Sequence, residues 1–153
     1  MNEDILEIQL ACFNLDEKLF AVDIMRIKEI IMPQKLSSLP RDSQILEGVI
    51  NLRGNVIPVM DMRKRFGMPQ VCSSTTGKLL IVSLARNTLA LAVDSVLEVI
   101  TVSVKDLKPP FDASIGVGIQ HLLGVCLSGV RVFMILDIDS LLGQSDFHDN
   151  GHS

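Results

Sequence analysis

Short apolar runs separated by turn residues dominate the chain, and this pattern predicts strands rather than long helices. The first two runs lie on either side of the polar segment 16–18, which is typical of a β-hairpin. Val and Ile, whose branched side chains favour extended backbone, are frequent in these runs. Further strands are predicted at 25–32, 46–52, 56–60, 78–84, 88–93, 96–102, 122–127 and 130–136.

The second half of the chain repeats the pattern of the first. When Gly48 is aligned with Gly124, residues up to Gly67 and Gly143 follow without a gap. Further matches include Val49 with Val125, Asp61 with Asp137, segment 21–23 with 92–94, and Glu29 with Glu98. The repeated unit has about 70 residues. It holds about five short strands and a short helix, and such units usually close into small barrels.

This repeat predicts a mainly β fold with two five-stranded sub-barrels, covering approximately residues 8–67 and 78–143. The polar segment 68–77 is the expected linker, and residues 144–153 are the expected flexible tail. Asp61 and Asp137 follow strands and are interpreted as N-caps of the short helices, because a carboxylate accepts free backbone N–H groups. Gly67 and Gly143 suit the C-terminal ends, where a left-handed backbone is common.

Composition excludes several classes of protein. The chain has 153 residues, of which 48% are hydrophobic, so it can bury a core. Its net charge is −4 and it has no Trp or Tyr, which argues against nucleic-acid binding. The basic run 63–65 is interpreted as the solvated side of a short helix. The acidic N-terminus resembles no signal peptide, and polar residues interrupt the apolar segment 79–100, so no membrane insertion is expected.

No catalytic motif or metal-ligand pattern is present, so we expect no enzyme activity, cofactor or metal. The three cysteines, Cys12, Cys72 and Cys126, are an odd number without CxxC spacing, and they indicate a reducing, cytoplasmic compartment. His121 is the only histidine outside the tail, and it is expected at the surface or at a strand edge without a local partner.

Arg53 is an unusual charged residue between the apolar runs 46–52 and 56–60. It lies in the expected turn 51–55, where Gly54 is predicted to adopt a positive φ. The aligned segment 127–129, Leu-Ser-Gly, has no arginine. A solvated loop arginine is one interpretation, and a recognition contact is the other. The difference between two otherwise similar halves favours recognition.

The segment EGVINLRGNVIPVMDMRKRFG, residues 47–67, resembles the signature of the CheW family, the adaptor proteins of bacterial chemotaxis arrays. The resemblance covers about residues 8–142 and includes the motifs at 20–24, 27–30, 92–99, 107–110 and 135–138. It implies one CheW-like domain over residues 1–153, built from two five-stranded SH3-like barrels packed side by side. The implied function is a non-enzymatic scaffold in the cytoplasm, recruited to membrane receptor arrays.

The resemblance also implies partners and site residues. The partners are the regulatory domain of the histidine kinase CheA and the cytoplasmic helical tip of methyl-accepting chemoreceptors. Glu29, Gly48 and Arg53 are implied partner-binding residues, with the receptor in a groove between the barrels. Asn51 and Gly54 are expected to support the loop. An adaptor for a pilus-motility or surface-sensing kinase is the alternative, since such proteins share every motif noted above.

Overall fold

The computed structural model describes residues 6–39, 46–69, 77–110 and 121–142. These residues form ten strands: β1 Glu7–Leu15, β2 Lys18–Asp23, β3 Ile27–Ile31, β4 Leu46–Leu52, β5 Asn55–Asp61, β6 Lys78–Ser83, β7 Thr88–Val93, β8 Ser95–Ser103, β9 Leu122–Ser128 and β10 Arg131–Leu136. Helix α1 covers Met62–Arg65, and 3-10 turns cover Ile24–Arg26, Val104–Asp106 and Ile138–Ser140. The predicted hairpin around residues 16–18 is confirmed.

The strands form two five-stranded sheets, which confirms the mainly β fold class. Sheet 1 has the order β8-β1-β2-β10-β9, and sheet 2 has the order β3-β6-β7-β5-β4. Each sheet joins its two parts through one parallel pair, β2 with β10 and β7 with β5. In the repeat, strands β1 to β5 correspond to β6 to β10. Exchanging each strand for its counterpart converts the order of sheet 1 into that of sheet 2, so the two sheets have equivalent topology.

The sub-barrel boundaries 8–67 and 78–143 do not coincide with these sheets. Sheet 1 takes two strands from the first half and three from the second, and sheet 2 takes the reverse. The halves therefore exchange strands. A repeat shows that two segments have the same pattern, but either copy of a strand can satisfy the same neighbour, so the pattern does not say which copies pair.

The buried apolar residues of the described ranges form three clusters. The largest lies between the sheets and combines residues from both, among them Phe13, Phe20, Met60, Leu80, Leu91 and Leu136. A smaller cluster belongs to sheet 1 and contains Leu10, Cys12, Ala21, Cys126, Phe133 and Ile135. The third belongs to sheet 2 and contains Ile50, Ile57, Val59, Leu79, Ile81 and Ala90. Strands such as β2 are buried on both faces, because adjacent residues alternate between two clusters.

The two short helical pieces after β5 and β10 differ at their starts. The Asp61 carboxylate accepts hydrogen bonds from the backbone N–H groups of Arg63 and Lys64, as expected of an N-cap. The Asp137 side chain makes no such bond, and its backbone carbonyl accepts from Ser140 instead. The second piece is a 3-10 turn rather than an α-helix. Gly67 has the expected positive φ of 71°.

Some predicted features lie outside the described residues. These are most of the linker, residues 70–76, the tail from residue 143, and Cys72. The linker and the flexible tail therefore stay predictions. Within the described ranges, no helix is long and apolar enough to cross a membrane.

Candidate partner-binding site

The β4–β5 hairpin places Arg53 at its tip. Leu52 pairs with Asn55, so the turn consists of Arg53 and Gly54, which both have positive φ, 52° and 88°. This backbone matches the twist of the flanking strands, and glycine adopts it without steric cost. The Asn51 Oδ1 accepts a hydrogen bond from the Gly54 N–H at 2.9 Å. Asn51 and Gly54 thus hold the turn that presents the arginine.

Arg53 and Glu29, the two charged residues that the sequence singled out, form an ion pair between Arg53 Nη2 and Glu29 Oε2. Glu29 lies on β3 and Arg53 follows β4, and these are the two edge strands of sheet 2. The side chains keep 32% and 67% of their surface exposed, respectively. The pair therefore bridges two strands that share no backbone hydrogen bonds, and a partner can reach it.

A groove of about 500 Å³ surrounds this pair. It is lined by residues of β3, the β4–β5 hairpin, β6, the β6–β7 turn and the start of β7, all of which belong to sheet 2. Ile57 and Ile81 come from the apolar cluster of that sheet, while Lys28, Glu29, Arg53 and Arg86 supply charge. The groove that holds the pair is thus lined by residues of sheet 2, whereas the resemblance implied a groove between the two barrels.

Gly48 lies elsewhere and does not line this groove. A Cβ atom at Gly48 would lie 2.5 Å from the Ser37 carbonyl oxygen, where Ser37 and Val49 exchange backbone hydrogen bonds. Gly124, the aligned glycine, has the same relationship to the Lys108 carbonyl oxygen at 2.7 Å. Since both halves need the close approach, the glycine has an architectural reason in each. Its implied contact with a partner stays a prediction.

Arg63 is the main residue that sequence reasoning misplaced, because the basic run 63–65 was expected to be solvated. The Arg63 side chain is only 10% exposed. It donates to both carboxylate oxygens of Asp94, at 2.8 and 2.6 Å, and to the Pro69 carbonyl at 2.7 Å. It also lies 3.3 Å from Asp16 Oδ1. The guanidinium lowers the pKa of Asp94.

The other two basic residues of that run also have partners. Lys64 Nζ is 3.0 Å from Glu47 Oε2, and Arg65 Nε donates to the Leu141 carbonyl at 2.7 Å. A short helix shows little amphipathic pattern, so the local sequence gave no signal for these contacts. Their partners are distant in sequence and approach only through the folding of the sheets.

Sheet 1 carries a second glutamate–arginine pair. Glu98, the residue aligned with Glu29, accepts from Arg131 Nη2 at 2.5 Å. Arg131 is the first residue of β10 and lies after the turn, outside the segment 127–129 that aligns with the Arg53 turn. The sequence alignment therefore did not indicate this pair. The Arg131 guanidinium also lies 5.0 Å from the centre of the Phe133 ring. In each sheet, an edge strand (β3 or β8) is thus linked by a glutamate–arginine pair to the hairpin at the other edge (β4–β5 or β9–β10).

Among the residues that the structure describes, the one histidine and the two cysteines are buried. His121 is 6% exposed, so of the two expected positions the surface is wrong, whereas it does directly precede β9, an edge strand of sheet 1. Its Nδ1 lies 3.1 Å from Ser140 Oγ. Burial lowers the pKa of His121, and the charge of Arg65 adds to the effect. Burial raises the pKa of the Cys12 thiol to about 12 and also raises the pKa of Cys126. No group of three or more potential metal ligands occurs among the described residues.

The chain is similar to known proteins both in sequence and in structure. The family model for the CheW-like domain matches residues 9–146. The chemotaxis protein CheW of Treponema pallidum is 30% identical over 144 residues, covering 92% of this chain and 85% of the relative. CheW of Klebsiella aerogenes is 22% identical over 134 residues, covering 88% and 81%. The crystal structure of the scaffolding protein TtCheW from Thermoanaerobacter tengcongensis superposes with a TM-score of 0.82 at 26% identity, covering 94% of this chain and 92% of that one.

Proposed function

The chain belongs to the CheW-like domain family, and on that premise we propose that it is a non-enzymatic scaffold that couples chemoreceptors to the histidine kinase CheA in bacterial chemotaxis. The relatives that carry the chemotaxis name match along most of their length. The proposed partners are the cytoplasmic helical tip of a methyl-accepting chemoreceptor and the regulatory domain of CheA. The proposed location is the cytoplasm, at membrane receptor arrays.

The observation that carries this proposal is the Glu29–Arg53 pair in the groove of sheet 2. Arg53 is largely exposed, yet its turn and its carboxylate partner restrict its orientation before any partner arrives. A side chain ordered in advance loses less conformational entropy on binding. The neighbouring apolar residues Leu52, Val56 and Ile57 offer surface to a helix that lays its apolar face into the groove.

The test is binding of the purified chain to a chemoreceptor cytoplasmic fragment and, separately, to a CheA regulatory domain from the same organism. Both should bind. Arg53→Ala should weaken receptor binding by about tenfold or more, since arginine is a frequent hot-spot residue at interfaces. The same variant should leave kinase binding within about twofold.

Lys105→Ala provides a matched control, because Lys105 is an exposed cation outside the groove. It should leave both affinities unchanged. Equal losses for both variants would contradict a specific role of Arg53. Binding of neither partner would contradict the chemotaxis proposal and would favour an adaptor for another kinase pathway.

A further inference from the structure

We propose that the groove of sheet 2 recognises an acidic, amphipathic helix, and that Lys28 and Arg86 are its carboxylate-binding residues. This inference rests on the proposed function, in which the occupant is a chemoreceptor helical tip, and it adds the chemistry by which that helix is recognised. Lys28 lies on β3 and Arg86 lies in the β6–β7 turn, and both line the groove beside the Glu29–Arg53 pair.

The charge of the groove is opposite to that of the whole chain. Among its lining residues are three cations, Lys28, Arg53 and Arg86, but only one anion, Glu29. The chain as a whole carries a net charge of −4. A cationic groove on an acidic protein attracts an anionic segment and disfavours other approaches, because complementary potentials steer encounter and fix orientation.

The two cations are also available. The single carboxylate of the groove, Glu29, is already paired with Arg53. Lys28 donates to a neutral acceptor, Thr88 Oγ1 at 3.3 Å, and within the described residues Arg86 makes no ion pair. Both side chains are exposed. A carboxylate from a partner would therefore meet cations that no carboxylate of the described chain neutralises.

Comparison of the two sheets shows that architecture does not require these cations. Sheet 1 retains the glutamate–arginine pair as Glu98 and Arg131. However, the residue before Glu98 is Leu97 where sheet 2 has Lys28. The turn equivalent to the one that carries Arg86 is the β1–β2 turn, which contains Asp16 and Glu17. The excess of positive charge is thus specific to the groove of sheet 2.

The groove also defines the apolar side of its occupant. Val56 is 69% exposed although it is a large aliphatic residue, and it lines the groove beside Leu52 and Pro58. Such a surface favours a helix with aliphatic residues on one face and carboxylates at its border. A nucleic acid would offer negative charge but no aliphatic face, so a protein helix fits the groove better.

The experiment compares two double charge reversals with the same change in net charge. Lys28→Glu with Arg86→Glu changes the groove, and Lys18→Glu with Lys105→Glu changes exposed cations outside it. Binding to the receptor cytoplasmic fragment is measured at low and moderate salt, and binding to the CheA regulatory domain is measured in parallel. The groove reversal should weaken receptor binding by about tenfold or more, and the control by less than about twofold. Neither should change kinase binding.

A milder pair, Lys28→Gln with Arg86→Gln, guards against misfolding of the reversed variant. It should retain the wild-type unfolding midpoint and bind the receptor with a weaker dependence on salt, because two charge contacts are lost. Receptor binding of the groove variants within twofold of the wild type would overturn this inference but leave the proposed function intact. Equal weakening by the control reversal would overturn it too, since net charge alone would explain the loss. If the unmodified chain binds no receptor fragment, the proposed function fails together with the inference.

Discussion

Arg63 and Asp94 form a two-pronged ion pair that joins helix α1 to the end of β7, with Nε–Oδ1 and Nη2–Oδ2 distances of 2.8 and 2.6 Å. Asp16, in the β1–β2 turn of sheet 1, donates its backbone N–H to Asp94 Oδ2 at 2.6 Å. Its own carboxylate contacts Arg63 as well. Because β7 belongs to sheet 2 and α1 follows β5 of the same sheet, this cluster is a polar link between the two sheets.

Arg63→Ala should lower the free energy of unfolding by about 2–4 kcal/mol at pH 7, because it leaves the partly buried Asp94 carboxylate without its counter-charge. Urea denaturation measures the change. Lys64→Ala is the control in the same helix, and loss of its partly exposed pair with Glu47 should cost less than about 1 kcal/mol. Similar losses for both variants would show that the Arg63 cluster contributes no more than a surface pair.

Gly48→Ala and Gly124→Ala should destabilise the protein by similar amounts, about 1–3 kcal/mol each. In both cases the new Cβ would overlap a backbone carbonyl oxygen, at 2.5 Å from Ser37 and 2.7 Å from Lys108. Thermal unfolding of the two variants side by side provides the measurement. A Gly48 variant of wild-type stability that nevertheless loses partner binding would instead support the direct contact that the family resemblance implies.

Lowering the pH from 7.5 to 5.5 should destabilise the wild type more than a His121→Gln variant. The pKa of His121 is depressed in the folded protein, so the unfolded chain binds the proton more tightly. Stability is therefore complete above the unfolded pKa of about 6.5 and declines as the pH falls below it. The slope from one such group cannot exceed about 1.4 kcal/mol per pH unit.

Urea denaturation across this pH range tests the effect of His121. A variant with His148→Gln and His152→Gln serves as the comparison for the remaining histidines. If that variant, rather than His121→Gln, reduces the pH dependence, the buried histidine is not its source.

In a Cys72→Ser background, the thiols of Cys12 and Cys126 should react with a disulfide reagent only at the rate of unfolding. Both are buried, and burial raises the pKa of both, so the reactive thiolate is scarce. Addition of 6–8 M urea should expose both thiols at once, as expected for residues of one cluster (about two equivalents of reagent consumed). Rapid labelling of either thiol in the native protein at pH 7 would contradict this expectation.

Much of the candidate site could be predicted, because its signals are local. The turn at Arg53 and Gly54 follows from the residue types between two apolar runs, and Asn51 supports it from within the same hairpin. Glu29 entered through the family resemblance, but its pairing with Arg53 joins residues 24 positions apart. Lys28 and Arg86 were missed, since nothing in their own surroundings indicates that they line a groove with Arg53.

The sequence by itself determined the strands, the turns between them, the duplication and the family, because alternation of apolar residues and turn chemistry act over a few neighbouring positions. Only the tertiary structure decided how the two halves combine. Two copies with the same pattern can pair within themselves or exchange strands, and the choice depends on contacts between distant segments. For the same reason it alone placed Arg63 in the interior, where its partners Asp94 and Asp16 lie 31 and 47 residues away along the chain.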